Sequence, residues 1–543
     1  MPATVHALLR TTAALLLIGA AEAAAAADAP QALAPEKNPC SARAEPVAIG
    51  SAQWNGWGRD LDNTRYQPEP AIRATDVEKL TLKWAFGDQS GKEFGQPTVV
   101  DGRLFISSSA GRIYALDAKT GCAYWTFDAA AGSQSAVLIG ELGQSKRAAL
   151  PKRLKRTLAH LDVIKAPSAA FFGDDTGAVY ALDAQKGTLL WKSQVDTHPL
   201  ARVVAAPALY NDRLYVAIAS TEDKIAANPE YSCCTFRGSV AALDIASGRI
   251  VWKSYTVLEE PQATRKNSAG IQEFGPAGAA VFSSPTIDPK RNVLYVTTGS
   301  ATGLEQSLTD AVVAFDLSDG KLRWVKQLSV RGEAASSGFA SSPILRTLSS
   351  GNQIILAGQM SGIVYGLDPD HGGEILWQSR ISASAAAAVA GAGPGAGVGG
   401  GIAWGGSADH RNFYAALSGL LSQPANAAGS LTALDMKTGI VRWNTPAPQP
   451  ACSWGGDCRH AQAQAVTVMP GVAFSGSMDG HLRAYSTIDG KILWDFDTAK
   501  AFLTQNGVHA SGGPLDRGGA TIVNGSVFIN SGSTLLAFSV DAK

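Results

Sequence analysis

Charge is scarce in this chain. Charged residues make up 17% of its 543 positions, against roughly 25% in an ordinary soluble domain. The little charge present cancels, with 46 Lys and Arg facing 46 Asp and Glu. That balance leaves no basic footprint for nucleic acid and no acidic tail. Long apolar runs are missing too: the stretch from Ala13 to Ala21 is too short to span a bilayer stably. No Cys-x-x-Cys-His sequence occurs, which excludes covalently attached haem from the chain. Few charges beside 57 glycines also argue against a coiled coil, a helical repeat or a disordered chain. Short strands joined by tight turns remain, in a large all-β architecture.

The N-terminus has the layout of an export signal. Arg10 precedes the apolar stretch, and the small residues Ala23 to Ala27 offer an A-x-A cleavage site before Asp28. No cysteine follows until Cys40, so a lipoprotein anchor is not expected, and the mature chain is placed in the periplasm or outside the cell. Six cysteines (Cys40, Cys122, Cys233, Cys234, Cys452 and Cys458) suit an oxidising compartment and allow fifteen pairings. A bridge from Cys40 to Cys122 would staple an N-terminal extension to the first repeat, and Cys452 and Cys458 bracket a short loop. Adjacent Cys233 and Cys234 either join each other or pair elsewhere. Neighbouring Cα atoms about 3.8 Å apart lie below the usual disulfide range.

Internal repeats decide the fold. A pattern of Gly, apolar alternation, Ala-Leu-Asp, a turn ending in Gly, and alternation to Trp runs from Gly111 through Asp117 and Gly121 to Trp125. Six further copies end at Trp191, Trp252, Trp324, Trp377, Trp443 and Trp494. Each reads as a β-hairpin, with Asp bonding its own backbone and Gly supplying a positive φ. The tryptophan recurs too regularly for catalysis and is expected to pack each unit on the next. Leu535–Ser539 is a half copy without its Trp, and Leu80–Trp84 is a Trp-ended strand without its preceding half. Joined, they make an eighth blade and remove an exposed edge. The expected fold is an eight-bladed β-propeller with tryptophan-docking repeats, its ring closed by the N- and C-terminal strands. The domain reading is a signal at 1–27, an extension at 28–70 and the propeller at 71–543. Two insertions interrupt it. One, 144–156, carries Lys146, Arg147, Lys152, Arg153, Lys155 and Arg156 and reads as a solvated loop. The other, 382–401, is rich in Ala and Gly with Pro394, and its helix breakers speak against a membrane span.

The segment Ala-Leu-Asp-x-x-Thr-Gly-x-x-x-Trp resembles the docking repeat of the quinoprotein alcohol dehydrogenases. Trp54-Asn-Gly-Trp-Gly58 with Asn63-Thr-Arg-Tyr66 looks like the start of that propeller. Cys122-Ala-Tyr-Trp-Thr-Phe127, Cys233-Cys-Thr-Phe-Arg-Gly238, Gly275-Pro-Ala-Gly278 and Leu493-Trp-Asp-Phe-Asp497 are similar to the polyvinyl-alcohol dehydrogenase branch, without its cytochrome c domain. The resemblance implies periplasmic oxidation of secondary or polymeric alcohols with pyrroloquinoline quinone (PQQ) and calcium. Electrons would pass to a separate cytochrome c. It also implies a Cys233–Cys234 bridge stacked on the quinone, Arg237 on a quinone carboxylate, Trp404 as a second stacking face, and Glu222 or Asp223 as calcium carboxylates. A blade-surface ion pair is the other reading of Arg237, and packing between blades the other reading of Trp404.

The chain departs from the family pattern at three positions of chemical weight. Ala340 stands where the family places an acidic residue, Ser300 replaces a metal-ligand amide, and Met360 replaces a lysine; Phe282 further stands in place of a Trp. Asp310, Glu333 or Glu273 are left as candidates for the missing base. The catalytic site therefore reads as degenerate. The alternative is a non-catalytic exported propeller acting as a binding or scaffold protein.

Overall fold

The computed structural model describes residues 34–50, 53–142, 168–302, 308–328, 338–381, 401–418, 429–449, 452, 458–459 and 461–540. The signal segment, Glu333, the basic insertion and residues 382–400 lie outside the described residues. Eight antiparallel sheets form the blades of a propeller. Blade 1 runs outward from Thr98–Val100 through Arg103–Ser107 and Arg112–Asp117 to Ala123–Asp128. In blade 8, Thr81–Gly87 pairs antiparallel with Thr534–Ser539, placing Phe86 opposite Leu535. The chain ends close the ring, as the two half copies require.

The repeated hairpin forms for a local reason. Asp117 Oδ1 accepts the backbone N–H groups of Lys119 at 3.0 Å and Thr120 at 2.8 Å, and Gly121 follows at φ 74°. Asp435 does the same for Lys437 and Thr438. The turn glycine has a second duty. A Cβ on Gly187 would lie 2.6 Å from the Trp125 ring of the preceding blade, and a Cβ on Gly248 would lie 2.5 Å from Trp191. Each indole lies on the next blade's bare turn, and its N–H donates to a carbonyl there: Trp125 to Ala184 at 3.1 Å, Trp191 to Ile245 at 3.0 Å. Trp84 closes the circle on Gly121 and Ala118 of blade 1.

A ring of blades leaves the inner edge of each innermost strand unpaired around the axis, and unpaired edges need partners. Residues 54–67 supply them. Trp54 pairs with Val99 of blade 1, and the Asn55 amide donates to the Ile139 carbonyl of blade 2 at 2.7 Å. Carbonyls of Leu61, Asp62, Thr64 and Arg65 then accept from Ile287, Leu345, Ala408 and Val468, in blades 4, 5, 6 and 7. The Gln67 amide reaches Ile522 of blade 8 at 2.8 Å. Arg65 is 1% exposed. Its guanidinium donates to the carbonyls of Val466 and Trp57 and to Thr467 Oγ1, with the Trp57 ring 4.7 Å away. Burial lowers it to about 9, so it stays charged at neutral pH.

Outside the ring, the Cys40–Cys122 disulfide and a parallel bridge from Pro39 to Ala123 fasten the extension to blade 1. Cys452 and Cys458 are also joined.

Two outcomes test these contacts. Gly187→Ala forces a side chain into both a left-handed backbone and the Trp125 ring, and should cost on the order of 2 kcal/mol, read as a lower melting temperature. Asp62, on the axial segment, is pushed up to about 7 by burial, with Asp60 and Asp288 adding to the shift and Arg346 opposing it. A carboxyl raised in the fold binds its proton more tightly there than in the unfolded chain, so stability falls as pH rises from about 4 to about 7. Asp62→Asn should flatten that slope and gain on the order of 2 kcal/mol at pH 8 once solvent screening is allowed for, measured by denaturant melts across pH.

Candidate active site

The antiparallel blade topology sorts the connections by end. Turns joining strands one to two and three to four of each blade lie at one end of the ring. Turns joining strands two to three, and crossings to the next blade, lie at the other. The described candidates all fall on the second set. Glu222, Asp223, Cys233, Cys234 and Arg237 lie between the second and third strands of blade 3, Arg213–Ser220 and Ser239–Asp244. Ser300 and Asp310 occupy the matching turn of blade 4, Met360 that of blade 5, and Glu273, Ala340 and Trp404 the crossings. The fold thus gathers at one mouth residues that lie up to 182 positions apart, from Glu222 to Trp404.

Cys233 and Cys234 form a disulfide with each other, Cys234 buried and Cys233 half-buried. A hairpin of Gln262–Lys266 and Gln272–Gly275 holds them: Phe274 N–H donates to the Cys233 carbonyl at 2.6 Å, and Cys234 N–H to the Phe274 carbonyl at 3.1 Å. Glu222 lies not in an open loop but at the start of a helical turn, Glu222–Ile225, and is 2% exposed. Its Oε1 accepts Thr235 N–H and the Tyr231 hydroxyl, both at 2.8 Å, and Oε2 accepts Phe236 N–H at 2.9 Å. His198 Nε2 stands 3.7 Å from Oε1 and 3.1 Å from Thr235 Oγ1. Burial and the Glu222 contact push the Tyr231 phenol up to about 12. Asp223, next along, is exposed. Sequence reasoning did not single out Tyr231 or His198, because neither lies at a motif position.

Arg237 is engaged locally. Nε and Nη2 donate to the carbonyls of Val257 and Leu258, each at 2.9 Å, its guanidinium lies 3.9 Å from the Tyr255 ring centre, and Nη1 is 3.8 Å from exposed Glu260. Trp404 is half-buried with its ring 6.3 Å from that of Trp57 on the axial segment, tilted by 49°. Glu273 accepts from Arg265 at 2.7 Å.

Two of the three residues expected to depart from the family pattern, Ser300 and Met360, approach a common neighbour. The Ser300 hydroxyl donates to Asp310 Oδ1 at 2.7 Å, and Asp310 is 8% exposed. A Cβ on Gly338, two residues before Ala340, would lie 3.0 Å from Ser300 Oγ. Met360 N–H donates to the Gly338 carbonyl at 3.1 Å. Ser300 and Met360 thus meet at Gly338, two positions from Ala340 along the chain, and Asp310 is the carboxylate bonded to Ser300.

Comparison with known proteins gives this geometry a lineage. A family model described as the β-propeller domain of glucose, ethanol and alcohol dehydrogenases, named for PQQ, matches residues 54–392. A second, described as outer membrane protein assembly factor BamB, matches residues 361–541. A polyvinylalcohol dehydrogenase of a Pseudomonas species is 40% identical over 93% of this chain and 80% of its own length. Another, from Sphingopyxis, is 37% identical over 95% of this chain and 80% of its own. The chain belongs to the PQQ-dependent alcohol dehydrogenase family. Its fold agrees: the quinohemoprotein alcohol dehydrogenase of Comamonas testosteroni superposes with a TM-score of 0.63 at 19% identity, over 91% of this chain and 81% of that one.

A PQQ dehydrogenase needs a platform and polar groups for a flat, carboxylated quinone, and the chain offers both. The disulfide, tied to the Phe274 backbone, would be the platform. At the same mouth, Thr302 Oγ1 and Ser477 Oγ are buried hydroxyls without a hydrogen-bond partner among the described residues, groups that could donate to a carboxylate. The residues fit the quinone. A calcium set is different, since that ion wants six to eight oxygens. Among the described residues no three of His, Cys, Asp and Glu converge on one point, so such side chains do not by themselves make a calcium site there.

The disulfides are directly testable. Peptide mapping without reduction should yield one peptide holding both Cys233 and Cys234, two mass units below its reduced form. Either cysteine cross-linked to another segment would contradict the arrangement.

Proposed function

We propose that this protein is an exported, PQQ-dependent dehydrogenase of secondary alcohols, including the hydroxyls of a polymer like polyvinyl alcohol, passing its electrons to a separate cytochrome c. The observation that carries the reading is the Ser300–Asp310 pair, next to Gly338 at the end of the ring that also holds the vicinal disulfide. The names of the relatives support the substrate class. Three disulfides and the leader-like residues 1–27 support export.

Bound PQQ supplies the two-electron acceptor for hydride from the carbinol carbon. The chain supplies the rest. Asp310 takes the hydroxyl proton as the hydride leaves, turning the alcohol into a ketone. Ser300 fixes the carboxylate by donating to Oδ1, so that the base is aimed before substrate arrives. Burial of Asp310 keeps bulk water from competing for the proton. With Met360 in place of a cation, turnover is slower than in relatives carrying the full pattern.

The test is reconstitution of the purified chain with PQQ and calcium. Quinone absorbance measures binding, and dye reduction with 2-propanol or polyvinyl alcohol measures turnover. Stoichiometric binding with slow reduction is expected. Asp310→Asn should lower kcat by about 10²-fold or more while leaving PQQ affinity unchanged. Full activity in that variant would remove Asp310 from the mechanism. Binding without any reduction would favour a ligand-holding propeller, and absence of binding would sink the quinoprotein reading.

A further inference from the structure

Glu222 is a carboxylate at the mouth of the ring whose capacity is turned inward. It is 2% exposed, and both its oxygens accept from the segment that carries the disulfide. A buried carboxylate normally needs a cation or several donors. Here the donors are the amides of Thr235 and Phe236, the two residues directly after Cys234, and the hydroxyl of Tyr231, two residues before Cys233. The bonds therefore straddle the cysteine pair. Charge-assisted bonds of this kind are roughly twice as strong as neutral ones. Glu222 itself is fixed at the first turn of Glu222–Ile225, where Ser220 Oγ accepts its N–H at 2.9 Å. On its outer side the cysteine pair is held by the Phe274 backbone. The disulfide is thus clasped between a hairpin and one carboxylate.

We propose that Glu222 is a positioning residue which locks the Cys233–Cys234 loop in the shape that receives the quinone, and is not a metal ligand. The inference rests on the PQQ reading for the identity of what the loop receives; the locking itself does not. A glutamine at 222 cannot replace the carboxylate. Oε1 and Oε2 each face an N–H donor, so whichever way the amide is turned its NH2 meets another donor. Tyr231→Phe removes a single bond and leaves the charge satisfied by two amides, giving a milder variant.

The experiment uses the full-length apoprotein, stripped of metal with EDTA. Amide hydrogen exchange at Thr235 and Phe236 is followed by peptide-resolved mass spectrometry, and PQQ affinity by quinone absorbance. Glu222→Gln should speed exchange at those two amides at least tenfold and weaken PQQ binding by a similar factor, while amides of the distant blade 7 strand His481–Ser486 keep their rates. Tyr231→Phe should move both readouts in the same direction by less. It also serves if the glutamine variant does not fold. Exchange unchanged in folded, metal-free variants would overturn the proposal. So would a Glu222→Gln effect that appears only when calcium is added, since that is the signature of a metal ligand. If the wild-type chain binds no PQQ even after calcium is restored, while Glu222→Gln still frees the two amides, the locking stands and the quinone reading falls.

Discussion

The inner edge of the ring is the constraint on which the rest of the molecule depends. Eight radial sheets can close a circle, but their innermost strands then present unpaired N–H and C=O groups to a narrow axis where bulk water is a poor partner. Residues 54–67 settle this by threading the axis and bonding to blades 1, 2, 4, 5, 6, 7 and 8 in turn. With that segment in place the blades share a common strut. Buried Arg65 is compatible with the arrangement because the Val466 and Trp57 carbonyls and two indole faces surround it.

The same construction divides the molecule by task. At one end, short hairpins repeat with little change, since each must present a bare glycine to a neighbour's tryptophan. At the other, turns and crossings are released from that duty, and all the described chemical candidates are found there. This matches the general rule that function resides on loops held by a rigid scaffold. The site is assembled from blades 3, 4 and 5, whose relative placement is set by the docking of Trp252 on Gly320 and of Trp324 on Gly373. Specific contacts to a ligand thus depend on contacts that touch no ligand.

The candidate site is assembled from residues that the sequence keeps apart. Ser300 and Met360 are sixty residues apart in the sequence, yet they meet at Gly338, and Asp310 brings a carboxylate to Ser300. Loss of an acid at one position and its presence on a neighbouring turn are compatible with one chemistry, because a base is defined by reach and not by chain position. Glu222 illustrates the converse. A carboxylate in the expected region is committed to holding backbone, which its sequence context does not reveal.

The sequence by itself determined the fold. Seven full repeats and two half copies dictate eight blades and their closure, because the Asp-to-Gly hairpin is local and the Trp spacing counts the units. The family was legible for the same reason: its signature lies in contiguous segments such as Trp54–Gly58 and Cys233–Gly238. The tertiary structure alone decided which side chains meet. Ser300 and Asp310 are ten residues apart and become partners only because blade 4 turns there. His198 approaches Glu222 from the crossing between blades 2 and 3, and Arg65 owes its surroundings to blade 7, about four hundred residues downstream. Repeats are short-range order, which a sequence carries openly. A site is a meeting of distant turns, and its geometry exists only after the ring has closed.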